Sequence, residues 1–242
     1  MNISCFNALL LSSCLYLSAC NTTVREPPPL ALANHPTFNR INVETEQDIF
    51  KLDKTITSQL DAHLTSKRSA HYLANSILSF LLKNGDNSLT YQSGATLSAS
   101  QTYANLNANC LSLSILAYSL ADYLGIKTRF QKVHIPEYWA MNKGVNLLTG
   151  HINLSIDNAL MQTIPATMVY QRDKQLTIDF DPNIRKQRFK TSPISKEFVT
   201  AMFYNNKGAQ ALVNKNYNLA YSYFSAAVEA APLYSGGWGN LG

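Results

Sequence analysis

Three residue types that together make a thiol nucleophile occur in order along the chain: Cys110, His151 and an acid at Asp179 or Asp181. A thiol attacks only as thiolate, and a free thiol with a pKa of about 8.5 is mostly protonated near neutrality. The stretch "NANCLSLSILAYSLADYLGIKTRF", Asn107 to Phe130, places Cys110 at the first turn of an apolar helix. There the unpaired N–H groups and the helix dipole favour negative charge. A histidine in reach would take the thiol proton, and an acid would fix its tautomer and stabilise the imidazolium. The backbone N–H of Cys110, with Gln101 or Tyr103 from the polar approach to the helix, would serve an oxyanion. Each residue also has a plain structural reading. Cysteine at the edge of an apolar helix often only packs, a histidine on the polar side of a strand stays at the surface, and Asp-Phe-Asp-Pro-Asn favours a turn.

Other chemistries have less support. The five histidines, His35, His63, His71, His134 and His151, show no ligand spacing such as His-Glu-x-x-His, so no metal or other cofactor is expected. Without a Cys-x-x-Cys pair or a resolving cysteine, a redox-sensing thiol is the weakest reading. The net charge of +5 is mild, and no basic run exceeds Lys67-Arg68, so nothing predicts nucleic-acid binding.

The elements that must position these residues are legible in outline. Leu52, Ile56, Leu60 and Leu64 recur at four-residue spacing and predict a helix over about 46–64. Tyr72, Leu73, Ile77, Phe80 and Leu81 predict a second, ended by the turn chemistry of "KNGDNS". Polar residues 88–107 predict a loop and a short helix. In the helix that follows, Leu113, Leu116, Leu120 and Leu124 line one face, Ala117 and Ala121 supply small packing residues, and Gly125 suits a left-handed stop. "IKTRFQKV" reads as a strand. In "GHINLSID", Ile152, Leu154 and Ile156 alternate with His151, Asn153 and Ser155. "LTIDFDP" sets Leu176, Ile178 and Phe180 opposite Asp179 and Asp181, so both acids share a face and periodicity does not choose between them. The order helix, strand, loop, strand, strand is α+β organisation.

Both ends differ from this middle. "FNALLLSSCLYL" followed by Leu17-Ser18-Ala19-Cys20 is an apolar stretch ending in small residues, shorter than a membrane span and of the secretory-signal type. Leu-Ser-Ala-Cys resembles the bacterial lipobox, which implies cleavage before Cys20 and its lipidation. Residues 1–20 are therefore expected to be a lipoprotein signal peptide, and 21–44, which include "NTTVREPPPLALANHP", a flexible tether. Of the four cysteines, Cys110 would then be the one thiol left. At the other end, Tyr204, Gly208, Ala220, Phe224, Ala227 and Pro232 fall at the offsets of the 34-residue tetratricopeptide pattern. Trp238, Leu241 and Gly242 restart it from about Ser235. One unit and the start of a second are expected over 196–242, as part of a longer protein.

The quoted stretches, with "YQSGATLSASQTYANLNANC", "VHIPEYW", "GHINLSI" and "LTIDFDP", resemble the transglutaminase-like superfamily of papain-related folds. They resemble more narrowly bacterial lipoproteins that join this domain to tetratricopeptide repeats. The resemblance covers about residues 45–242. It implies a transglutaminase-like, papain-like core over 45–195, with helices packed on a small antiparallel sheet, followed by the all-α repeat segment. It also implies Cys110 as nucleophile, His151 as general base and Asp179 as the preferred acid, with Asp181, which precedes Pro182, as the alternative.

The function expected is that of a lipid-anchored cell-envelope thiol enzyme, a cysteine peptidase, amidase or acyltransferase acting on amide or peptide bonds through an acyl-enzyme. The repeats would recruit a protein or peptide partner, and the lipid would hold the chain to a membrane. The alternative is a non-catalytic scaffold in which the same domain and repeats mediate protein–protein interactions in the envelope.

Overall fold

The computed structural model describes residues 36–64, 76–77, 79–81, 90–91, 96–105, 107–142, 145–157, 169–172, 175–181 and 189–242. The signal peptide, Cys20, most of the tether, Tyr72, Leu73, "KNGDNS" and Pro182 lie outside the described residues. The remainder is mixed helix and antiparallel sheet, as the α+β reading expects.

The helix expected over 46–64 is instead two, α1 (Glu46–Phe50) and α2 (Lys54–His63). Thr45 and Asp48 form a capping box that starts α1. Lys51 then turns extended, and a residue distant in sequence stabilises the break. Ser100 Oγ donates to the Lys51 carbonyl at 2.8 Å and accepts from the Asp53 N–H at 3.0 Å. One hydroxyl thus satisfies two backbone groups that the interruption frees. Residues 76–77 and 79–81 are helical, and Ile77, Phe80 and Leu81 are buried there.

Ser100 belongs to α3 (Ala99–Asn105). Two residues on each side form a small parallel pair, β1 (Thr90–Tyr91) with β2 (Asn107–Ala108). β2 runs directly into α4 (Cys110–Tyr123), which is more deeply buried than one apolar face requires: 11 of its 14 residues are buried. Its end is a Schellman motif. Gly125 is left-handed at φ 69°, its N–H donates to Asp122, and the Ile126 N–H reaches back to Ala121 at 2.9 Å. This tight stop turns the chain into the sheet.

Among the described residues the sheet has five strands in the order β5-β6-β4-β3-β7, and every neighbouring pair is antiparallel. β3 (Thr128–Asn142) and β4 (Val145–Asp157) form a long hairpin. β5 (Val169–Arg172) and β6 (Gln175–Ile178) add beyond β4, and β7 (Thr191–Ile194) lies on the outer side of β3. α4 packs on β4. Ile152, Leu154 and Ile156 are buried as alternation predicts, but so are His151, Asn153 and Ser155 on the opposite side. The polar face of β4 is therefore interior rather than solvated.

Three helices close the chain: α5 (Lys196–Val213), α6 (Tyr217–Ala230) and α7 (Ser235–Leu241). α5 and α6 form a hairpin, and α7 packs on both. α5 and α6 approach closely at Gly208, where a Cβ would stand 2.6 Å from the Phe224 ring. The segment expected as free tether is docked here at its distal end. Arg40 makes a bidentate pair with Glu229 at 2.8 and 2.7 Å, and the Asn39 and Ile41 N–H groups donate to Asn218 Oδ1 and Ser222 Oγ of α6. Tyr204 donates to the Glu44 carbonyl and Tyr223 to the Glu44 carboxylate, each at 2.6 Å.

Candidate active site

Cys110 stands at the first position of α4 because Asn109 caps that helix. Asn109 Oδ1 accepts from the Ser112 N–H and from Ser112 Oγ, both at 2.9 Å, while Asn109 Nδ2 donates to Thr96 Oγ1. The cap is itself buried, so the start of the helix is fixed to a single residue. A helix leaves its first N–H groups without intrahelical acceptors, which puts the Cys110 side chain in a field that favours an anion. Cys110 is a free thiol and 8% exposed.

His151 enters from β4, paired across the ladder with Val133. Beside it β3 departs from regular pairing, taking five residue steps from Val133 to Tyr138 while β4 takes two from His151 to Thr149. Pro136 lies in that interval and has no N–H to give to a ladder. Such bulges release and re-aim side chains at the end of a pairing. His151 Nε2 meets Asp179 Oδ1 at 2.8 Å, with both residues 2% exposed. The Cys110 side chain is close enough to the ring to raise its proton affinity. With Nε2 committed to Asp179, Nδ1 is the ring nitrogen left for the thiol.

The structure thus brings Cys110, His151 and Asp179 together, with Asp179 rather than Asp181 hydrogen-bonded to the ring. β6 ends at Ile178, and the next residue, Asp179, turns its carboxylate to the histidine. Asp181 is half-buried, and its contact with the site is through its backbone N–H, which donates to Asp179 Oδ1 at 3.0 Å. The strand expected to carry both acids stops before either, so the choice comes from the strand end and not from alternation.

Electrostatics follow the geometry. Burial works against a charged imidazole, but the hydrogen bonds and negative charges of Asp179 and of the Cys110 thiolate outweigh it and raise His151 to about 10. The ring therefore holds its proton through neutral pH when the sulfur is anionic.

Two of the residues named for oxyanion stabilisation are engaged elsewhere. The Tyr103 hydroxyl donates to Gln59 Oε1, and exposed Gln101 accepts from the Ser98 N–H at the start of α3. The site instead includes a residue read only as part of a polar strand face: Asn153, fully buried, donates from Nδ2 to Asp179 Oδ2 at 3.3 Å. Its signal in the sequence is its position two residues after His151, on the same side of the strand. A cleft of about 450 Å³ lined by Tyr118, Asp122 and residues 125–129 opens at the opposite end of α4 and contains none of the triad. Among the described residues no three His, Cys, Asp or Glu side chains gather to hold a metal ion, and no helix is long and apolar enough to cross a membrane.

No family model, curated protein or solved structure matches the chain.

Proposed function

We propose that the chain carries a cysteine-dependent acyl-transfer or hydrolytic activity on amide or peptide bonds. What supports the reading above all is the buried His151–Asp179 hydrogen bond with the Cys110 side chain beside the ring, held between a capped helix start and a strand. In this reading the thiolate and imidazolium form before substrate arrives. Cys110 sulfur attacks the carbonyl carbon, and the C=O π pair moves onto oxygen. That oxyanion lies at the N-terminus of α4, where the Cys110 N–H is a donor. His151 then gives its Nδ1 proton to the departing amine as the C–N bond breaks, leaving an acyl-thioester. Water or an acceptor amine, deprotonated by the neutral ring, resolves it. Asp179 keeps Nε2–H oriented throughout. Hydrolysis and transfer share every step up to the thioester.

The domain assignment belongs to the same proposal. A buried triad on a helix and an antiparallel sheet agrees with the transglutaminase-like, papain-related resemblance. The α5–α6 hairpin with Gly208 against Phe224 agrees with a tetratricopeptide unit that recruits a protein or peptide partner. Lipid attachment at Cys20 in a bacterial envelope completes the reading.

Thiol reactivity is the direct test. In the folded protein Cys110 should be alkylated by iodoacetamide at a rate maintained below pH 7, and His151→Ala should slow it by about tenfold or more, the ratio that one pH unit of thiolate population corresponds to. A thiol that reacts only after denaturation would return Cys110 to a packing role and leave the non-catalytic scaffold as the reading.

A further inference from the structure

The acid of the proposed triad is itself held by other groups, and they differ in kind. Asp179 presents one oxygen to His151 and to the Asp181 backbone N–H. Its second oxygen takes the amide of Asn153, at 3.3 Å. Asn153 is on β4, two residues from His151, so one strand supplies both the proton-holding ring and the donor that fixes that ring's partner. All three side chains are buried. Burying a carboxylate that keeps its charge requires donors on both oxygens, because desolvation otherwise drives it to the neutral form.

We propose that Asn153 is a positioning residue for the thiol site: its amide pins the Asp179 carboxylate in the rotamer that faces His151 Nε2. This rests on the triad reading given above, and it names a fourth side chain that acts through the acid without touching substrate. The alternation of β4 makes the placement rigid, since residues i and i+2 of a paired strand share one side at fixed separation. The amide must be a donor to do this. Leucine, of nearly the same shape, would leave the second carboxylate oxygen buried with no partner from this position. Aspartate would put a second acid beside the first, and the two would share one proton.

The groups facing His151 are few, which makes its titration a clean reporter. Cys110 approaches from α4 and Asp179 from the end of β6, and the residue across the ladder on β3 is apolar Val133. His134, next along β3, is exposed and bonded to Ser192.

The experiment follows the His151 ring by NMR titration in the full chain, alongside the pH profile of Cys110 alkylation. Asn153→Leu should move the His151 midpoint down by about one unit or more and slow alkylation near neutrality by about tenfold, the equivalent of that shift. Asn153→Asp should show a conditional defect. Alkylation stays close to wild type on the acid side, where the shared proton supplies an O–H donor to Asp179, and falls as that proton is lost. Asp179→Asn fixes the scale of the full loss. If Asn153→Leu does not fold, Asn153→Ala, which removes the amide and adds no charge, is read by the same midpoint. The proposal is overturned if the His151 midpoint is unchanged in the folded Asn153 variants while Asp179→Asn lowers it. Failure of the enzyme reading looks different: an unreactive Cys110 in the wild-type protein, with the ring titration still reporting on Asn153.

Discussion

At the scale of single residues, His151 carries the site's charge balance. It is buried, yet its proton is held from two sides, by Asp179 and by the Cys110 thiolate, and its pKa rises from 6.5 to about 10. A raised folded-state pKa means that folding favours the protonated form. That contribution is complete below the unfolded value near 6.5 and disappears as pH climbs through about 10. Urea denaturation midpoints of the wild-type protein should therefore fall across this window more steeply than those of Asp179→Asn, in which an amide replaces the charge that favours the imidazolium. Parallel pH profiles for the two proteins would refute the charge assignment.

Elements differ in how openly the sequence announces them, and the difference has physical causes. α4 is legible because cap, apolar run and left-handed glycine all act within its own span, from Asn109 to Gly125. The division between α1 and α2 is not, since Leu52, Ile56 and Leu60 keep helical spacing across it and the break is satisfied by Ser100, nearly fifty residues on. β7 is hidden by Pro193 in "TSPI", which suits an edge strand, and β5 by a length of four residues, too short for alternation to show. At the site, cysteine, histidine and acid were readable as types in order. Asn153 was not, and Asp179 is preferred by resemblance and not by periodicity, because both positions depend on where β6 stops beside β4. The α5–α6 hairpin offers a test where two local effects oppose. Alanine at a helical glycine normally gains up to about 1 kcal/mol. At Gly208 the new methyl would meet the buried Phe224 ring at 2.6 Å, an overpacking that costs about 1–3 kcal/mol. Gly208→Ala should therefore lower the urea midpoint, and adding Phe224→Leu should recover part of the loss. Gly208→Ala at or above wild-type stability would mean that the helices separate freely.

For the molecule as a whole, the described residues belong to one compact unit, and residues 38–46 help to hold its last helices. The segment reaches α5 and α6 through Arg40 with Glu229, through Glu44 with Tyr204, Tyr223 and Lys207, and through Glu46 with Thr200 and Lys196. Then it enters α1, whose Ile49 and Phe50 lie in the same core as α4 and the sheet. Exposed ion pairs contribute little on their own, so the Arg40–Glu229 pair should be worth under about 1 kcal/mol. Glu44 is different, because Tyr223 is buried and has that carboxylate as hydrogen-bond acceptor at 2.6 Å. Burial raises the Tyr223 hydroxyl pKa, with the hydrogen bond to Glu44 adding to it, so the group remains a neutral donor at all ordinary pH. Removing the acceptor alone in Glu44→Ala leaves the hydroxyl without that partner and should cost about 1–3 kcal/mol, whereas removing both groups costs less. In a double-mutant cycle, the loss in Glu44→Ala with Tyr223→Phe should be clearly smaller than the sum of the single losses. Additive losses would mean that the segment lies on the helices without bonding to them. Because the segment joins α5 and α6 to the core that holds the site, far-UV ellipticity and the folded-state NMR signal of the His151 ring should be lost in one urea transition in the wild-type chain. Two separated transitions would show the final helices unfolding independently of the site.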